Sequence, residues 1–117
     1  MLRRWALGLL AATITLAGLS SCGSERRSAA MIGPFVPNTA AETNGRRVFL
    51  EFCHQCHPNG ESGLGPAVND KPVPDVAIRA QVREGLGAMP AFGEREIPAR
   101  DLDDLLAYMT ALRDHGD

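Results

Sequence analysis

Cys53-His54-Gln55-Cys56-His57 is the stretch on which the reading of this chain turns. Two thiols stand three residues apart, and an imidazole follows the second directly. That spacing is the attachment signature of a c-type haem. Each thiol can add to one vinyl group, and the short loop between them keeps both sulfurs on one porphyrin. The next side chain then offers an imidazole nitrogen to the iron as proximal ligand. Cys53 and Cys56 are the candidate thioether residues, and His57 is the candidate iron ligand.

Two plainer readings compete for the same residues. A Cys-x-x-Cys pair can be half of a zinc site, which needs two further ligands at a workable spacing. The remaining candidates, His54, His115 and Cys22, do not have that spacing. A thioredoxin-like dithiol would belong to a βαβ setting, and no strand pattern supplies one.

Toward the N-terminus, Arg3 and Arg4 precede a mostly apolar run from Trp5 to Leu19. The run is short for a bilayer span and suits the core of a secretory signal peptide. It ends in Leu19-Ser20-Ser21-Cys22, which resembles the lipobox of bacterial lipoproteins. The resemblance implies cleavage before Cys22 and a lipid on its sulfur. The expected organisation is a lipoprotein signal peptide over 1–21, a tether over 22–38 and a haem domain over 39–117. With Cys22 lipidated and Cys53 and Cys56 in thioethers, no disulfide remains to form.

Removing the leader takes away two arginines and no acidic residue, leaving ten basic residues against 14 acidic ones, a formal charge of −4. Lys71 is the only lysine. This balance argues against nucleic acid or an acidic membrane surface as partner. A chain of this length has a small core, and a bound porphyrin would add apolar bulk. Gly23 to Asn38 mixes Ser, Arg, Gly and Pro without periodicity. As a flexible coil it would reach roughly 20–24 Å, and Met31 and Phe35 are the residues in it that could dock back on the domain.

Three helices are expected after the tether. Thr39-Ala40-Ala41-Glu42 reads as a capping box opening a helix from Ala40 to Phe52. Gly45, Val48, Phe49 and Phe52 share one face of it, and a glycine there suggests close approach by a neighbour. Pro58 to Pro74 reads as loop. A second helix is expected over Asp75–Glu84, with Val76, Ile78 and Val82 as its apolar residues and Gly85 as its stop. The last starts near Pro98, placed at the first helical position, with Asp101, Asp103 and Asp104 by its positive end. Leu102, Leu105, Leu106, Met109 and Leu112 fall on one stripe of it. No strand and no internal repeat is evident.

A histidine on one face of a haem leaves the sixth iron position to a side chain, water or a substrate. Met31, Met89, Met109, His54 and His115 are the candidates. His54 lies inside the attachment loop, Met109 in an apolar helix stripe, Met31 in the tether and His115 at the frayed end of the last helix. Met89 lies in Gly85-Leu86-Gly87-Ala88-Met89-Pro90-Ala91-Phe92, where glycines allow turning and a proline stiffens. Met89 is therefore the candidate second axial ligand. A thioether on iron raises the potential. An open sixth site is the alternative.

From roughly Thr39 to Arg113 the chain resembles the small monohaem class I cytochromes c with His/Met ligation. Gly45 and Phe49 ahead of the attachment motif resemble the first helix of that family, which meets the last helix. Tyr108 is similar to the aromatic on that facing helix. Gly63-Leu64-Gly65-Pro66 resembles the segment whose proline carbonyl accepts a hydrogen bond from the proximal imidazole, which assigns that role to Pro66. Met89-Pro90 is similar to the distal methionine loop. The lysine-rich docking face known in the family is absent.

The resemblance implies an all-α small cytochrome c fold, with three or more helices around one covalently bound haem c and its iron. It implies a one-electron carrier and not an enzyme, with redox proteins such as a periplasmic dehydrogenase or terminal oxidase as partners. With the lipobox, the expectation is a monomer lipid-anchored through Cys22 on the periplasmic side of a bacterial membrane. The alternatives are a haem c subunit of a stable dehydrogenase or oxidase complex, and a haem protein with an open sixth site.

Overall fold

A computed structural model describes residues 34–115. The leader, Cys22 and Met31 lie outside the described residues. Among those described, helix α1 spans Ala40–Phe52, α2 spans Asp75–Glu84 and α3 spans Ala99–Asp114. No strand occurs among them; a single bridge pairs Leu86 with Met89. The fold is all-α, as the periodicity and the family resemblance both imply.

The start of α1 follows from its capping residues. Thr39 is the N-cap, and its hydroxyl accepts from the Glu42 amide at 3.1 Å. The Glu42 carboxylate accepts from the amide of Asn38 at 2.7 Å, one residue before the usual capping-box partner. At the other end, the amides of Cys53 and His54 both donate to the Phe49 carbonyl, each at 2.9 Å. The attachment loop thus begins where α1 stops.

Helices α1 and α3 pack closely because Gly45 has no side chain. A Cβ at Gly45 would fall on the Asp104 carbonyl oxygen and lie 2.7 Å from Tyr108 Cβ. Phe49 lies against the Tyr108 ring, with centroids 5.4 Å apart. Val48, Phe49, Val82, Ile97, Leu102, Leu105 and Tyr108 form the buried cluster. Side chains of this kind each contribute roughly 1.5–3 kcal/mol on full burial. At the rim, Asn44 Nδ2 donates to Asp101 at 3.0 Å and to Asp104 at 2.8 Å, while Arg47 pairs with Asp101 and Glu51.

Four details depart from the sequence reading. Pro98 is the N-cap of α3 and not its first helical residue. Val76 is 73% exposed; it stands two residues, about 200° of helix, from Ile78, and so points away from the core. Pro58–Gly60 forms a 3₁₀ turn inside the expected loop, with Asn59 at φ 54°. His115 is not a frayed end: its amide donates to Ala111, and its ring meets Phe35 edge-on at 5.4 Å. Phe35 also meets Tyr108 edge-on at 5.6 Å, so the described residues before α1 are docked on the domain through it.

Candidate functional site

The attachment loop is wound tightly by its own backbone. The amides of Cys56 and His57 both donate to the Cys53 carbonyl, at 3.1 and 2.9 Å. Both cysteines are unpaired thiols and half-buried. Burial pushes the Cys53 thiol up to about 12, with the neighbouring Cys56 adding to the shift. A dithiol redox pair needs the opposite, a lowered thiol pKa that gives an attacking thiolate. Among the described residues no three His, Cys, Asp or Glu side chains converge as a zinc site would require.

His57 is oriented by the segment that follows it. Its Nδ1 lies 2.7 Å from the Pro66 carbonyl oxygen. A carbonyl can only accept, so Nδ1 carries the proton and Nε2 keeps the lone pair that a metal would take. Gly65 makes room for the ring: a Cβ there would collide with the imidazole. The Gly65 amide donates to the Cys56 carbonyl at 2.9 Å, which ties the Pro66 segment to the attachment loop.

Met89 sits in a loop that follows α2 and is tied to it by the Gln81 side chain. Gly85 ends α2 at φ 69°, a conformation that a side chain would strain. The Leu86 and Met89 amides then exchange hydrogen bonds with each other's carbonyls at 3.2 and 3.1 Å. Phe92, three residues on, meets Phe52 edge-on with centroids 5.7 Å apart. Phe52 immediately precedes Cys53. Cys53 and Met89 both pack against the same buried cluster, so the attachment loop and the methionine loop are brought together although 32 residues separate His57 from Met89.

Met31 lies outside the described residues, and the other axial candidates, His54, Met109 and His115, are engaged elsewhere. His54 Nδ1 accepts from the Asn59 amide at 3.2 Å, and Met109 packs on the core. Sequence reading missed Gln81, whose Nε2 donates to the Met89 sulfur at 3.4 Å. It also missed Ile97, which is fully buried outside any helix. Gln81 lies eight residues before Met89, and only the fold-back at Gly85 makes the two neighbours.

These residues fit a covalently bound porphyrin. Two free thiols, an imidazole with its lone pair fixed and a thioether sulfur form a suitable donor set. Leu64, in the segment whose Pro66 carbonyl holds His57, and Leu86, on the methionine loop, are 89% and 75% exposed. Apolar side chains so placed gain from a large apolar group bound between the loops.

An all-α domain with this attachment loop and a facing methionine loop defines a small c-type cytochrome, a haem c electron carrier. The chain belongs to the family described as Cytochrome C oxidase, cbb3-type, subunit III, whose model matches residues 40–109. It is 30% identical over 69 residues to the 4-cresol dehydrogenase [hydroxylating] cytochrome c subunit of Pseudomonas putida. That match covers 59% of this chain and 60% of the relative's length. It is 33% identical over 81 residues to cytochrome c6 of Gloeothece citriformis (strain PCC 7424), covering 62% of this chain and 73% of that protein. Against cytochrome c6 of Microcystis aeruginosa the identity is again 33%, over 62% of this chain and 99% of the relative. No solved structure gives a significant match.

Proposed function

We propose that this cytochrome is a lipid-tethered one-electron carrier on the periplasmic side of a bacterial membrane, with His57 and Met89 as its two axial ligands. The observation that carries the reading is the meeting of the two loops through Phe52 and Phe92. When bound, the haem supplies an iron that gains and loses one electron. The protein's part is to hold its ligands still through that cycle. The Pro66 carbonyl fixes the plane and tautomer of His57, and Gln81 holds the Met89 sulfur. Cys53 and Cys56 prevent loss of the group.

With both axial positions taken by side chains, no substrate has a place to react, so the chain is a carrier and not an enzyme. The lipobox at Leu19-Ser20-Ser21-Cys22 supports anchoring at Cys22. Phe35 is docked on Tyr108, so the tether proposed after Cys22 ends before this residue. Confinement of this kind raises the effective concentration of a membrane neighbour without new contacts. Redox partners of such a carrier form small transient interfaces, and the domain works as a monomer.

Cys22→Ser is expected to move the protein from the membrane to the soluble fraction with its haem spectrum unchanged. Retention of the variant on membranes would contradict the anchor. A second reading, a haem subunit of a stable dehydrogenase complex, is favoured by the likeness to the 4-cresol dehydrogenase cytochrome subunit. Co-purification with one dehydrogenase through a high-salt wash would establish that reading. Elution as a free 1:1 haem protein would establish the carrier.

A further inference from the structure

Met89 lies on a segment without helix between Gly85 and Pro98, so its position depends on contacts made to that segment from outside. Three successive residues at the end of α2 supply them. Gln81 donates to the sulfur, and the Val82 carbonyl accepts from the Phe92 amide at 2.8 Å. Arg83 does more: its Nη1 donates to the Phe92 carbonyl at 3.1 Å and to the Ile97 carbonyl at 2.7 Å. Among the described residues this half-buried guanidinium pairs with no carboxylate, and its partners are the two carbonyls of the loop.

We propose that Arg83 is a positioning residue for Met89, docking the distal loop so that the thioether outcompetes other ligands for the sixth iron position. The proposal rests on the His57/Met89 reading above. Phe92 is held through its amide, its carbonyl and its ring, the last against Phe52 beside Cys53. Ile97 is fully buried and anchors the far end. Arg83 joins these two points, so the loop cannot swing outward without breaking both of its bonds. Hydrogen bonds from a charged donor are stronger than neutral ones, and their loss leaves two carbonyls without their charged partner. The undocked state, now more populated, is the one that admits an outside ligand, and apparent affinity scales with that population.

The test uses the full-length haem-loaded protein and imidazole as the competing ligand in the ferric state. Arg83→Gln is expected to bind imidazole about 10- to 100-fold more tightly than wild type, and to show a weakened methionine–iron near-infrared band. Arg83→Lys keeps one charged donor and should fall between the two. Arg47→Ala breaks the α1–α3 rim contacts instead; it should lower the melting temperature and leave imidazole affinity unchanged. Wild-type affinity in both Arg83 variants would overturn the proposal, as would an equal gain in Arg47→Ala, which would make the effect general loosening. A wild-type protein that lacks the band and binds imidazole tightly would overturn the Met89 ligation itself, and with it this role for Arg83.

Discussion

Gly45→Ala is expected to destabilise the domain by about 3 kcal/mol, enough in a small protein to lower the yield of haem-loaded material. On propensity alone the change would favour the helix by roughly 1 kcal/mol. The added methyl, however, would land on the backbone carbonyl of Asp104 and against Tyr108 Cβ. A backbone carbonyl in mid-helix cannot rotate aside, so α1 and α3 must separate. Separation loosens the Phe49–Tyr108 contact and stretches the Asn44 bonds to Asp101 and Asp104. Chemical denaturation of the purified holoprotein measures the loss. Wild-type stability in the variant would mean that the helix crossing is wider than described.

Met89→Ala is expected to have the largest effect on the site. The variant should lose the near-infrared methionine–iron band in the ferric state and take up carbon monoxide stoichiometrically when reduced. Its midpoint potential should fall by on the order of 0.1 V or more, a part of the roughly 0.8 V that axial ligation commands. The attachment loop is independent of Met89, since His57 is held by Pro66 and Gly65. The haem should therefore stay bound, and the red colour should survive. Redox titration and carbon monoxide difference spectra check these outcomes. An unchanged band would move the sixth ligand to another residue.

Much of the fold was legible because its signals are local. Thr39 with Glu42, the stop at Gly85 and the leucine stripe of α3 each act within a few residues, and the helix limits match to within one position at Pro98. The crossing at Gly45 could also be read, since a glycine costs helix stability unless a neighbour needs the space. Other features are tertiary and left no such trace. Val76 has the right residue type but the wrong helix angle. Ile97 is buried from an irregular segment because Arg83 and the Gly93 carbonyl hold its backbone. Gln81 and Arg83 look like ordinary polar helix residues until the chain reverses at Gly85 and brings the methionine loop beside them. Phe35, by contrast, is named in the sequence reading as able to dock back on the domain, and it does so on Tyr108, since an aromatic needs only one receptive edge.

The central claim is that one covalently held haem has both axial positions filled by His57 and Met89. The most direct measurement is the absorption spectrum of the purified wild-type protein, oxidised and reduced, with and without carbon monoxide at neutral pH. The account predicts a c-type haem spectrum with a methionine–iron band when oxidised, and a reduced spectrum that carbon monoxide leaves unchanged. Prompt carbon monoxide binding by the reduced wild-type protein, or a preparation without haem absorption, would contradict it.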